Sequence, residues 1–207
     1  MLQIVRGIEQ GTPEWHALRL GRMTASHAQE IANCGKGLDT LCRKIAGQIF
    51  TNTIAPSYKN ENMLVGNEEE HFARAAYEMQ TGCDVEQVSF GIYSDYVGAS
   101  PDGLVGIDGG IEIKRKTFEK HCDLLFGVEP FESKYIWQCR MNMLVFDRQW
   151  WDLLSYNPLF KGKSLFKVRL LREEQYDEQL LKGFEKGEIL IKEYLSILNE
   201  TTLLKYN

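Results

Sequence analysis

The segment YVGASPDGLVGIDGGIEIKRKT, residues 96–117, constrains the fold of this chain more than any other. Its Ile-Asp-Gly-Gly at 107–110 is hairpin-turn chemistry, because Asp and Gly accept the positive φ angles that tight turns demand. The flanking runs 96–100 and 110–116 are β-prone, so the spacing predicts two paired strands. Asp102 falls at the end of the first. Glu112 and Lys114, two residues apart, share one face of the second. A hairpin that gathers two acids and a lysine among apolar neighbours has to neutralise them, either against one another or against something bound.

Two carboxylates that meet at one point repel each other and lose hydration. A hard divalent cation relieves both costs. Mg2+ takes oxygen ligands in octahedral geometry at ~2.0–2.1 Å and keeps several waters. Asp102 and Glu112 would supply two ligands and the backbone carbonyl of Ile113 a third. Lys114 cannot ligate a cation; its ammonium would orient water or steady the charge on a phosphate. An ion that activates water and neutralises a phosphate oxygen suits phosphodiester hydrolysis. The hairpin alone is equally consistent with a cross-strand ion pair on an exposed face. The Glu-x-Lys pattern by itself carries little, since a second copy, Glu132-Ser-Lys134, follows Pro130 and reads as the solvated first turn of a helix.

More acid stands upstream. Glu68, Glu69 and Glu70 are expected in the first turn of a helix, where the macrodipole favours negative charge. Glu70 shares a helix face with Arg74 and is placed to reach the metal site from a neighbouring element. Gln138 lies on the helix after the hairpin, where a glutamine is ordinarily a surface residue.

The remaining pattern predicts helices separated by strands. Thr12 as N-cap, Pro13 and Glu14 open a first helix that Gly21 ends. A second starts with Thr24 or Ser26 as N-cap. A third carries the stripe Leu38, Leu41, Ile45 and Ile49. A fourth presents Phe72, Ala76 and Met79 and closes at Gly82. A three-stranded meander over 87–116, a helix over 132–146, strands at 150–156 and 165–171, and a helix from about 173 to 198 follow. This is mixed α/β, with helices on a central sheet. No repeat or linker interrupts it, so residues 1–207 read as a single domain.

Net charge is −5, from 24 Lys and Arg against 29 Asp and Glu. That excludes a protein that coats nucleic acid through general basicity, but not an enzyme with a local basic groove. Five cysteines, widely spaced and without a C-x-x-C pair, argue for reduced, mostly buried thiols rather than zinc or an iron–sulfur cluster. No apolar run reaches the ~18 residues of a bilayer span, and the N-terminus lacks the apolar core of a signal peptide. A cytoplasmic protein without a membrane association is expected.

Several segments together resemble the phage lambda exonuclease family, or YqaJ-type viral recombinases, within the PD-(D/E)XK nuclease superfamily. They are EWHALRLGRMTAS, GNEEEHFAR, ASPDGL with GIEIK, and YIWQCRMNMLV followed by WWDLLSYNP. The resemblance implies a PD-(D/E)XK core, a central mixed β-sheet flanked by α-helices. It implies Asp102 and Glu112 as metal-binding acids, Lys114 as catalytic lysine, Glu70 as the helix glutamate near the metals, and Gln138 as the motif glutamine. Arg19 and Ser26 match positions that hold the 5′-phosphate of a DNA end, as an Arg fork and a hydroxyl at a helix start can. Met63, three residues before Gly66, stands where an apolar wedge would split the duplex; a core or capping role is the alternative. The implied activity is processive 5′-to-3′ digestion of one strand of double-stranded DNA with two Mg2+ ions, Mn2+ substituting. The enzyme would be a ring-shaped homotrimer beside a phage-type single-strand annealing protein, of phage or prophage origin in a bacterial host. An endonuclease or junction resolvase is the alternative within the superfamily. A catalytically silent DNA-end-binding scaffold is the alternative outside it.

Overall fold

The structure, a computed structural model, describes residues 2–54 and 61–200, with side chains in the second stretch from residue 69 onward. The chain runs β1 (Gln3–Val5), α1 (Pro13–Arg19), β2 (Met23–Thr24), a 3-10 turn (Ala25–His27), α2 (Ala28–Asn33), α3 (Lys36–Thr51) and α4 (Glu61–Thr81). It continues β3 (Val85–Glu86), β4 (Phe90–Ser94), β5 (Val97–Ala99), β6 (Gly103–Val105), β7 (Gly109–Arg115), α5 (Phe118–Leu125) and α6 (Ser133–Phe146). It ends β8 (Trp150–Tyr156), β9 (Leu165–Leu171) and α7 (Glu174–Asn199). The expected architecture of a mixed sheet flanked by helices is present, with an additional small sheet. The larger sheet has the order β3-β6-β7-β8-β9 and the smaller β1-β4-β5-β2.

The central hairpin differs from the expected one. Residues 97–99 do not pair with β7; they form β5, which pairs with β4 and β2 in the smaller sheet. The partner of β7 is β6, in antiparallel register from Gly103↔Ile111 to Val105↔Gly109. Pro101, lacking an N–H, cannot continue a ladder, and the chain crosses there from one sheet to the other. Asp102 therefore stands before the first strand of the hairpin, not after it. The turn is Gly106–Asp108, with Gly106 at φ +54°. Gly110 serves packing instead: it sits opposite Trp151 in the parallel pairing of β7 with β8, and a Cβ there would fall 2.3 Å from the indole ring.

Parallel pairing needs a crossover, and α5 and α6 supply it. The sequence pattern did not suggest α5, which is only eight residues long and is capped by Thr117 accepting from the Lys120 N–H. Every residue of α6 from Cys139 to Phe146 is buried; the two polar ones have partners, Arg140 on Glu173 and Asn142 on Glu112.

Three helix starts and faces also depart from expectation. Helix α1 begins as expected, with the Thr12 hydroxyl accepting from the Trp15 N–H. But Met23–Thr24 is a strand, and neither Thr24 nor Ser26 caps α2 through its side chain. Helix α4 begins at Glu61, so Glu68–Glu70 lie two turns in and the macrodipole does not explain them. Its buried face is Ala73 and Tyr77, while Phe72 and Met79 are exposed. A small Ala73 lets the helix approach β7, and Tyr77 reaches inward to donate to Asp152 Oδ2 at 2.9 Å. Met63 sits within α4, but its side chain lies outside the described residues. All five cysteines are free; Cys42 and Cys139 are buried, Cys34 and Cys122 half-buried, and Cys83 is exposed, so "mostly buried" holds for two.

Asp152 on β8 is fully buried and receives, besides Tyr77, both Arg169 Nε and Nη2 at 2.8 Å. Burial alone would raise its pKa, but the Arg169 and Tyr77 hydrogen bonds outweigh burial and lower it. Asp152→Ala is expected to destabilise the fold by about 2–3 kcal/mol, with half-exposed Arg169 recovering water and buried Tyr77 left without its acceptor. Because the folded pKa is depressed, the charge-dependent part of this stabilisation is complete above the unfolded value of ~3.9 and is lost as pH falls through the lower, folded one. The gap between the urea midpoints of wild type and variant should therefore be constant above about pH 4 and narrow as pH falls below it.

Candidate active site

Strand β7 provides the floor. Glu112 and Lys114 project from one face, as their spacing requires, and Lys114 Nζ donates to Glu112 Oε1 at 2.7 Å. Asp102 approaches from the flank where β6 has not yet begun. Its Oδ2 accepts from the Ile113 N–H at 2.6 Å. In a strand the N–H and C=O of one residue point to the same side, so the Ile113 carbonyl also faces Asp102. Glu70 comes from α4, paired with Arg74, whose Nη1 lies 3.4 Å from the Asp102 carbonyl oxygen. Gln138 comes from α6, its Oε1 accepting from Lys114 Nζ at 3.1 Å. Asp102, Glu112, Lys114, Glu70 and Gln138 thus lie together, drawn from a sheet-crossing link, a strand and two helices.

The electrostatics are those of acids short of positive charge. Glu112 is 1% exposed, and burial, with the neighbouring Asp102 charge, pushes its pKa up to about 8. Burial and Asp102 likewise push Glu70 up to about 7, against the pull of Arg74. Asp102 is raised by burial although Lys114 opposes it. Burial disfavours the Lys114 ammonium, but Glu112 and Asp102 outweigh burial and hold its pKa above the usual lysine range. Three carboxylates face two cations, Arg74 and Lys114. Their oxygen donors, buried and mutually repelling, fit a hard divalent cation. Among the described residues, no three Asp, Glu, His or Cys side chains already converge on a single point in the manner of a closed metal cage. The site is open, two or three carboxylates and a backbone carbonyl, as suits an ion that also binds substrate and water.

A second cluster adjoins the first. Arg19, at the end of α1, donates from Nη1 to Ser100 Oγ and from Nη2 to Thr24 Oγ1, both at 3.3 Å. Thr24 and Ser26 hydroxyls lie 3.2 Å apart. The Arg19 guanidinium stacks 4.4 Å from the Trp15 ring, and the Trp15 indole N–H donates to Ser100 Oγ at 2.9 Å. Burial lowers the Arg19 pKa to about 10, with Glu112 acting in the opposite direction. A guanidinium with hydroxyls around it and, among the described residues, no carboxylate hydrogen-bonded to it has the chemistry to accept an anion. Ser100, Pro101 and Asp102 are consecutive, so the backbone ties this cluster to the carboxylates.

Three contributors were not anticipated. Ser100 was invisible because its role depends on the chain crossing between sheets. Thr24 was read as a helix cap. Asn142, buried, donates to Glu112 Oε2 at 3.1 Å; its signal is a polar residue one helical turn after Gln138, within the apolar run that closes the helix. Glu69 is a separate matter: it pairs with Arg115 at 2.6 Å, on the strand face opposite Glu112. The second Glu-x-Lys, Glu132 and Lys134, forms an exposed ion pair at the start of α6, as its context suggested.

No curated protein matches the sequence. Among solved structures, the alkaline exonuclease LHK-Exo of Laribacter hongkongensis superposes with a TM-score of 0.77 at 31% identity, over 90% of this chain and 97% of that one. LHK-Exo in complex with dAMP gives 0.80 at 29% identity, over 90% and 96%. A phage-related exonuclease from Haemophilus somnus 129PT shares the fold, with a TM-score of 0.67 at 12% identity over 86% and 96%. The model of the YqaJ-like viral recombinase domain matches residues 14–149, a span that begins just before Trp15, contains both clusters and ends at the start of β8. On that match, and on a nuclease core that holds its acids, lysine and glutamine in place, the chain belongs to the YqaJ-like viral recombinase family.

Proposed function

We propose that this chain, as one domain, is a Mg2+-dependent exonuclease that digests one strand of double-stranded DNA from a 5′-phosphorylated end, leaving a 3′ single strand for annealing recombination. The observation that carries this reading is the junction of the two clusters: an anion site at Arg19 joined through Ser100 and Pro101 to an acidic site at Asp102 and Glu112. A strand whose terminal phosphate rests on Arg19 and Ser26 presents its next phosphate to the carboxylates.

Asp102, Glu112 and the Ile113 carbonyl, with Glu70 alongside, would hold one or two Mg2+ ions, and Mn2+ would substitute. The bound ion supplies activation of water and neutralisation of phosphate charge. The chain's own residues do the rest. Lys114, held between Glu112 and Gln138, places its ammonium where a phosphate oxygen or attacking water would sit. Asn142 fixes the rotamer of Glu112. Arg19, Thr24, Ser26 and Ser100 grip the end. The dAMP bound by LHK-Exo has the size and charge of the product such a site would release. An endonuclease or resolvase has no use for a terminal-phosphate site, and a silent scaffold has none for Lys114.

A homotrimeric ring would let an acidic protein stay on DNA by enclosure rather than by broad basicity, beside a phage-type annealing protein in the bacterial cytoplasm. No described helix is long and apolar enough to cross a membrane. The test is digestion of linear duplexes with 5′-phosphate or 5′-hydroxyl ends and of a closed circle. With Mg2+ the phosphorylated ends should be consumed fastest and the circle left intact; with EDTA nothing should be cut. Cutting of the circle, or no digestion at all, would overturn the reading. Light scattering should give three times the 23.8 kDa monomer mass; the monomer mass at micromolar protein with DNA present would remove the ring.

A further inference from the structure

Helix α6 and strand β7 face each other along one line. Asn142 meets Glu112 at 3.1 Å, Gln138 meets Lys114 at 3.1 Å, and Glu132 meets Lys116 at 2.9 Å. Between the last two, the Tyr135 ring lies 4.8 Å from Lys114 Nζ and 4.3 Å from Lys116 Nζ. The step from Asn142 to Gln138 sets about one helical turn, ~5.4 Å, against two strand residues, ~6.8 Å, and the line continues past both elements to Glu132, just before α6, and Lys116, just after β7. The inner rungs form the acidic site. The outer rung, with Lys134 beside it, sets two ammonium groups against one carboxylate. Lys116 is only 9% exposed, and Lys134 Nζ is also 4.8 Å from Tyr135. Three ammonium groups thus surround one ring in a chain of net charge −5. Their repulsion is offset by cation–π attraction, by Glu112 on Lys114 at 2.7 Å, and by Glu132, which bridges Lys116 at 2.9 Å and Lys134 at 2.7 Å. A cavity of about 90 Å³ opens beside Lys116, lined also by Glu132 and by Lys120 with its partners Asp123 and Glu129. Lys114 serves hydrolysis at Asp102 and Glu112, whereas Lys116, Lys134, Tyr135 and Glu132 have no part in it.

We propose that Lys116 and Lys134, gathered on Tyr135, form a second phosphate site for the attacked DNA strand, and that Glu132 fills it as an anion mimic until DNA enters. This rests on the nuclease reading above. The Arg19 cluster joins the carboxylates through Ser100 and Asp102, whereas Tyr135 joins them through Lys114. The two clusters thus reach the carboxylates through different elements, one through the link at Pro101 and the other through the α6 side of β7. With the terminal 5′-phosphate at Arg19 and the first linkage at the carboxylates, the outer rung falls where the strand continues. The two-residue step from Lys114 to Lys116 is comparable to the step between neighbouring phosphates. The site therefore holds the second linkage, and Tyr135 is a positioning residue that keeps its lysines together.

The test pairs a substrate change with a protein change. A 5′-phosphorylated duplex with an uncharged methylphosphonate at its second or third linkage is bound in Ca2+ buffer and followed by fluorescence anisotropy. The second-linkage substitution should weaken wild-type binding about fivefold to tenfold, and Lys116→Gln should weaken binding of unmodified DNA as much. Combined, they should cost no more than either alone, while the third-linkage substitution should cost little. Lys116→Gln should reduce the slope of log affinity against log salt by about 0.7–0.9. Glu132→Gln should tighten binding about threefold, a sign that a merely structural ion pair would not give. Additive losses for Lys116→Gln and the second linkage, or unchanged or weaker binding by Glu132→Gln, would overturn the second site. Digestion of unmodified duplex by wild type in Mg2+ is read in parallel: its absence defeats the nuclease reading itself, whereas digestion with additive losses defeats only this site.

Discussion

Asp102→Ala and Glu112→Ala are each expected to lower Mg2+-dependent digestion by at least about three orders of magnitude, with the fold intact. The reason lies in the number of donors. The site has one buried carboxylate from β7, Glu112, one half-buried on its flank, Asp102, and a third, Glu70, already paired with Arg74. Removing either of the first two leaves too few oxygens to compete with water for Mg2+. Neither change should unfold the protein, because burial and mutual repulsion raise the pKa of both acids, so their ionised forms are costs to the fold. Glu112→Gln keeps the contact with Asn142 and serves as the isosteric control. Lys114→Ala differs in kind. It removes the cation that neutralises Glu112 while keeping every oxygen donor, so Mg2+ binding measured by calorimetry should persist while the single-turnover rate falls about 10²–10³-fold. Near-wild-type turnover by any of these three variants would remove the assignment.

Much of this site was legible in the sequence because its central chemistry is local. Glu112 and Lys114 share a face through the two-residue period of a strand; Gln138 was placed by the family resemblance, since helical spacing alone makes it a surface residue, and Asn142, one turn on, was not foreseen. Glu70 needed a helix packed on β7, which the pattern offered; the helix's true buried face, Ala73 and Tyr77, was hidden because exposed Phe72 and Met79 mimic an apolar stripe. What could not be read was the crossing at Pro101. Residues 97–99 and 103–105 are both short β-prone runs within reach of the same turn, and local propensity does not decide which pairs with β7. The choice is made by non-local packing: β5 is sealed between β4 and β2. Gly110 was likewise read as turn chemistry, when the residue that requires it, Trp151, lies forty-one positions away. The Arg19 cluster depends on the same crossing, which alone brings Ser100 to α1. From sequence, therefore, its members separate into a helix cation, a cap and a strand end.

That cluster yields the sharpest quantitative expectation. Arg19 is held by Trp15 stacking and by two hydroxyl acceptors, Ser100 and Thr24, and by no carboxylate hydrogen bond. Neutral acceptors at 3.3 Å are weak partners for a half-buried guanidinium, whose burial already lowers its pKa to about 10. A terminal phosphate would replace them with a bidentate, charge-assisted contact contributing on the order of 1.5–3 kcal/mol. At ~1.4 kcal/mol per tenfold, Arg19→Ala should slow digestion of 5′-phosphorylated ends roughly ten- to a hundredfold. On 5′-hydroxyl ends the partner is missing and the loss should be much smaller, so the quantity to measure is the ratio of the two rates. Arg19→Lys should recover only part of that ratio, because an ammonium cannot make the forked contact or stack on Trp15 in the same way. Ser26→Ala should shrink the ratio in the same direction but less, since its hydroxyl is neutral and exposed. Trp15→Phe separates positioning from charge: it keeps a ring beneath the guanidinium but loses the N–H that holds Ser100, so the ratio should fall between those of wild type and Arg19→Ala. If Arg19→Ala slows both ends equally, Arg19 is a general backbone contact and the end-phosphate site lies elsewhere.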